Sequence, residues 1–79
     1  MFIILIDDVF VLREHVAISG KCENKNDFNG RLVDDDGVVY KANIPFIKYV
    51  TPPAPDYITI ELTNVQNPNS LYGRVLKSA

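Results

Sequence analysis

Tyr57-Ile58-Thr59-Ile60-Glu61-Leu62-Thr63 decides how this chain folds. In an extended backbone, successive side chains point to opposite faces. Ile58, Ile60 and Leu62 therefore share one side, and Thr59, Glu61 and Thr63 take the other. The run predicts a strand with one face for a core and one for water. The same period orders the stretch before it: Val16, Ile18, Gly20 and Cys22 fall on one side, with His15, Ala17, Ser19 and Lys21 opposite. Val38, Tyr40 and Ala42 face one way in a less regular run. Phe46 to Thr51 is rich in aromatic and β-branched residues and predicts another strand. Helical spacing is nearly absent.

Turn chemistry separates these runs. Asn24-Lys25-Asn26-Asp27 and Asn29-Gly30 are loop sequences, and Asp36-Gly37 is a hairpin signal. Pro45 stands at a strand start, where its missing N–H matters least. Thr51-Pro52-Pro53-Ala54-Pro55-Asp56 predicts a stiff surface loop, and Asn64 to Ser70 a second long connection. Six or seven short strands divided by turns predict an all-β fold, either a closed barrel or a small sandwich. A closed barrel is preferred, because so short a chain does best without exposed sheet edges. Residues 1–79 form one domain, with no repeat or linker inside.

Composition narrows the function classes. A chain of 79 residues carries a modest core. Its one cysteine, Cys22, forms no internal disulfide, which favours a reducing compartment. Cys22 and His15 are too few soft ligands for zinc. The net charge of −2 argues against non-specific nucleic-acid binding. Met1 to Ile6 has no basic region ahead of it and is cut short by Asp7-Asp8, unlike a secretory signal. No stretch approaches the ~20 apolar residues of a membrane span. The expectation is a cytoplasmic protein that does not enter a membrane.

Several stretches, taken in order, resemble domain 2 of elongation factor Tu and related translational GTPases. Ile6-Asp7-Asp8-Val9-Phe10-Val11-Leu12 is similar to that domain's opening Ile-Glu-Asp-Val-Phe-x-Ile. Ile18-Ser19-Gly20-Lys21-Cys22-Glu23 is similar to Val-Thr-Gly-Arg-Val-Glu, and Gly30 stands where the family has the glycine of a Val-Gly-Asp turn. Ile58 to Leu62 occupies the place of the penultimate strand. Leu71-Tyr72-Gly73-Arg74-Val75-Leu76 looks like the closing Ile-x-Arg-Gly-x-Val-Leu. The resemblance implies a six-stranded Greek-key barrel. The family's Gly-rich turn before its second strand is replaced here by Arg13-Glu14-His15, and the middle third matches worst. The family carries this barrel beside a GTPase domain, and in elongation factor Tu it helps hold the aminoacyl end of tRNA. Those pocket residues find no residue-by-residue match here.

Four short patterns invite a chemical reading. Asn24-Lys25-Asn26-Asp27 spells the guanine-specificity motif of GTPases, but no phosphate-cradling Gly-rich loop accompanies it. Asp34-Asp35-Asp36-Gly37 lacks the alternate ligand spacing and closing glutamate of a calcium loop, and predicts a solvated hairpin tip. His15 has Glu14 on the opposite face and Ser19 two pleats away, so neither assists it in catalysis. Cys22 shares the apolar face of its strand and reads as a packing residue. No catalytic group, cofactor or metal site is expected.

Phe2 to Ile6 and Val9 to Leu12 are apolar on both faces of a strand, although a barrel needs only one face inside. Ile3 and Leu5 therefore become candidate partner-binding residues. Phe46, Tyr49 and Tyr57 join them, because tyrosine beside a rigid Pro-rich loop suits an interface. The first reading is a non-enzymatic protein-interaction module, with self-association into a homodimer as one form of it. The alternative is an RNA- or tRNA-binding module using Lys21, Lys25 and Arg31, which requires the chain's cations to gather on one face.

Overall fold

A computed structural model of the chain describes residues 1–12, 15–44 and 56–79. The strands are β1 (Ile3–Leu12), β2 (His15–Glu23), β3 (Arg31–Val33), β4 (Val39–Asn43), β5 (Tyr57–Leu62) and β6 (Val75–Ser78). They form a closed barrel in the order β1-β2-β5-β4-β3-β6, with every pairing antiparallel. Within it, β3, β4 and β5 are consecutive neighbours and β2 returns beside β5, which is a Greek key. The predicted strand at Phe46 to Thr51, Pro45, the Pro-rich loop as far as Pro55, and Arg13-Glu14 lie outside the described residues.

The period-two face of each strand fills the barrel. Phe2, Ile4 and Ile6 from the N-terminal run meet Ile18, Leu32, Ile60, Leu62 and Leu76, all essentially removed from water. Leu71, in a 3-10 turn over Pro68–Leu71, also enters this core. Phe28 packs its ring edge-to-face against Phe2, with centroids 5.4 Å apart. Each such aliphatic side chain contributes roughly 1.5–3 kcal/mol by leaving water.

The N-terminal run from Ile3 and the stretch Val9 to Leu12 belong to one strand. Its register against β2 shifts between Ile6 and Asp8, so Ile6 faces Gly20 and Asp8 faces Ser19 while Asp7 is the extra residue of a bulge. Gly20 makes this possible. A Cβ there would sit 1.8 Å from the carbonyl oxygen of Leu5, an impossible contact with backbone. Beyond the bulge β1 leaves β6, which pairs only with Ile3 to Leu5, and Phe10 and Val11 are exposed.

Two sequence expectations are corrected. Ala17 and Ser19 lie on the side of β2 assigned to solvent, yet both are buried. Their small side chains sit in the middle of three strands, between Phe10 and Glu61 for Ala17 and between Asp8 and Thr59 for Ser19. Ser19 Oγ also shares a 2.8 Å hydrogen bond with Thr59 Oγ1. The Asp34-Asp35-Asp36-Gly37 tip is solvated at Asp35, Asp36 and Gly37 but not at Asp34, which is buried. Gly37 takes a φ of +81° and its N–H donates to Asp34 O, which folds the Asp34 carboxylate back over the hairpin.

Candidate functional site

The register of the barrel fixes which side chains share its outer wall. Tyr57, Lys21, Leu5 and Val75 form one row across β5, β2, β1 and β6. Glu23, Ile3, Lys77, Val33 and Val39 form a second row across β2, β1, β6, β3 and β4. Because Leu32, Ala42 and Leu76 point inward, their strand neighbours Arg31, Val33, Lys41, Val75 and Lys77 point outward. The wall of β1, β6, β3 and β4 therefore carries Leu5, Ile3, Val75, Val33 and Val39 as an aliphatic band. Leu5 is 48% and Val39 55% exposed, and the other three are half-buried.

Three of the partner-binding candidates from the sequence, Ile3, Leu5 and Tyr57, stand on these two rows. Phe46 and Tyr49 lie outside the described residues. Tyr57 is less available than its row suggests. Its hydroxyl crosses β2 to donate a 2.6 Å hydrogen bond to Asp7 Oδ1 in the bulge. That hydrogen bond, with burial and the charges of Asp7 and Asp8 behind it, pushes the Tyr57 pKa up to about 12. The side chains that sequence reasoning missed on the wall are Val33, Val39 and Val75. The strand β3 has only three residues, too few for an alternation to show in the sequence.

The cations divide. Lys21 on β2 and Arg31 on β3 stand across the barrel from each other, with two strands between them either way round. Lys25 lies in the 3-10 turn Lys25–Asp27. The trio Lys21, Lys25 and Arg31 thus spreads around the molecule, whereas Arg31, Lys41 and Lys77 gather on β3, β4 and β6.

No family model, curated protein or solved structure matches this chain. Its chemistry therefore has to be read from its own side chains.

Asp34 is the most constrained of them. Its Oδ1 accepts from the N–H groups of Asp36 and Val38, both at 2.9 Å, and its Oδ2 accepts from the Tyr40 hydroxyl at 3.0 Å. Arg74, entering β6, lies 3.5 Å from Asp34 Oδ2 and 3.3 Å from Asp36 Oδ2. Burial acts to raise the Asp34 pKa. The hydrogen bonds from Val38, Tyr40 and Asp36 and the Arg74 charge outweigh it and hold the pKa below the ordinary carboxylate value. Burial, with the Asp34 hydrogen bond, raises Tyr40. The cluster is a clasp between the β3–β4 hairpin and the start of β6. Among the described residues no group of three or more His, Cys, Asp or Glu side chains is arranged to hold a metal.

The remaining candidates take structural places. His15 Nδ1 lies 3.2 Å from Glu61 Oε1, a carboxylate from β5 that adjacency in sequence could not reveal. The pair sits on the open wall of β2 and β5. Cys22 is buried, and that burial pushes its thiol pKa up, away from the thiolate a nucleophile needs. In the Asn24-to-Asp27 turn, Asn24 Nδ2 donates to Met1 O and Asp27 pairs with the Met1 ammonium at 2.7 Å. Two residues of the apparent guanine motif thus hold the N-terminal run. A cleft of about 280 Å³ opens beside the clasp, lined by Val38, Tyr40, Asn64, Gln66, Asn67 and Ser70. Among the described residues no helix is long and apolar enough to cross a membrane.

Proposed function

We propose that this barrel is a non-enzymatic protein-interaction module that receives a partner chain on the outer wall of β1, β6, β3 and β4. The aliphatic band of Leu5, Ile3, Val75, Val33 and Val39 carries the reading. These side chains add nothing to the interior, and aliphatic side chains gathered on the outside of a closed barrel suit a contact surface. The resemblance to domain 2 of elongation factor Tu supports the same reading, since in the multidomain factors that domain packs against its neighbours. The resembling stretches Ile6 to Leu12, Ile18 to Glu23 and Leu71 to Leu76 fall on or beside β1, β2 and β6. The buried free thiol of Cys22 suits a reducing, cytoplasmic setting. The reading requires no catalytic group, and the His15–Glu61 pair lies outside the cleft rather than within it.

The wall's own charge favours a different chain over a second copy. A two-fold dimer through this wall brings two copies of the Arg31, Lys41 and Lys77 patch together, at a cost in like-charge repulsion. Partner capture from host extract tests the reading with three baits: wild type, Leu5→Asp on the wall, and Val11→Asp at the exposed end of β1. Retention of one protein by wild type and Val11→Asp, and its loss with Leu5→Asp, is the expected result. Equal retention by all three would overturn the proposal. Solution mass checks self-association: a wild type that dimerises while Leu5→Asp stays monomeric would assign the wall to a second copy.

A further inference from the structure

The cations on this wall specify the chemistry of what it binds. Arg74 is committed to Asp34 and Asp36. Arg31, Lys41 and Lys77 have no side-chain hydrogen bond or ion pair among the described residues. Arg31 and Lys41 are direct cross-strand partners, an arrangement in which like charges repel. Lys77 faces Val33, one diagonal step from Arg31. The chain has ten Asp and Glu residues, yet none among those described is drawn in to relieve this repulsion. The three cations are interleaved with the aliphatic band, Lys77 standing between Ile3 and Val33 in one row.

Resting on the reading that the wall binds protein, we infer that its partner is an acidic segment with interspersed aliphatic side chains. A purely apolar partner would strip water from Arg31, Lys41 and Lys77 without replacing it, an uncompensated desolvation. A carboxylate-bearing segment answers each cation while its aliphatic side chains cover Ile3, Leu5, Val33, Val39 and Val75. Single-stranded RNA fits less well. Its phosphates answer the cations, but this wall offers its bases aliphatic groups in place of the aromatic platforms on which they stack.

A phage-displayed library of random linear peptides, selected on the folded domain, reads out this chemistry directly. Enrichment of Asp and Glu together with Leu, Ile and Val is expected among the bound sequences. A synthetic peptide from the best clone is expected to lose about tenfold in affinity to Lys77→Glu or Lys41→Glu, a difference of about 1.4 kcal/mol. The same affinity is expected to fall as salt rises. Apolar enrichment without acidic residues, lost on Leu5→Asp but unchanged by Lys77→Glu, would overturn the acidic partner and leave the protein-binding reading standing. No enrichment by wild type over Leu5→Asp would remove both. Poly-uridine RNA is titrated alongside: tight binding that Lys77→Glu abolishes, with no peptide selected, would assign the wall to nucleic acid.

Discussion

Asp34 is buried and receives two backbone N–H groups, a tyrosine hydroxyl and a guanidinium, so deleting its carboxylate leaves several partly buried partners without it at once. Asp34→Ala is expected to destabilise the fold by about 1–2 kcal/mol, the scale of losing charge-assisted hydrogen bonds whose other partners are only partly buried. Urea unfolding measures this, and a change near zero would show that the clasp carries no stability. The pH dependence follows from the lowered pKa. The unfolded chain binds a proton at Asp34 more readily than the native barrel does, so acid favours unfolding. The carboxylate's contribution is present above about pH 4, the ordinary Asp value, and disappears as pH falls through the lower native value. Asp34→Ala should therefore flatten the acid limb of the stability profile. Tyr57 gives the opposite sign. With its pKa raised to about 12, its contribution is whole below about pH 10 and lost as pH climbs to the native value. Tyr40 is raised as well, so tyrosinate absorbance should show late-titrating tyrosines, one of which, Tyr57, Asp7→Asn returns toward the ordinary range.

The hairpin of β1 and β2 turns on one residue without a side chain. Gly20→Ala places a methyl group against the Leu5 carbonyl opposite the bulge, where only backbone movement relieves the clash. A loss of more than about 3 kcal/mol is expected, at the severe end for a point substitution, and thermal unfolding measures it. On β3 the expected change is favourable. Arg31→Glu replaces a like-charge cross-strand pair with Lys41 by an opposite-charge one, and should raise stability by about 0.2–1 kcal/mol while weakening partner binding. A variant that gains stability and loses binding separates the wall's purpose from the fold's needs.

The same elements explain what the sequence disclosed. The alternation at 57–63 showed a strand directly, because a half-buried strand writes its faces into every second residue, and at 15–22 it placed a strand but not the burial of Ala17 and Ser19. Asp36-Gly37 marked its turn for the same local reason. The pairing of Asp34 with Arg74, the reach of Tyr57 to Asp7 and the pairing of His15 with Glu61 depend on strands distant in sequence, so no local pattern carries them. The wall was half legible: Ile3 and Leu5 stood out as surplus apolar residues. Their continuation through Val75, Val33 and Val39 requires knowing that β6 lies between β1 and β3.

At the scale of the molecule, β1 and β6 meet although they lie at opposite ends of the described sequence. Ile3 faces Lys77, Phe2 O accepts from the Ser78 N–H, and the Ser78 hydroxyl accepts from the Phe2 N–H. During synthesis the cylinder therefore stays unzipped until its closing strand has left the ribosome, with the Ile3 to Leu5 edge bare in the meantime. A nascent chain stalled before Val75 should be sensitive to protease and to chaperone capture, and emergence of Val75 to Ser78 should end both. Because Phe2 and Ser78 lie side by side, the barrel of residues 1–79 with a short tether joining β6 to β1 and a new opening cut at Asp35-Asp36 should fold as the same barrel.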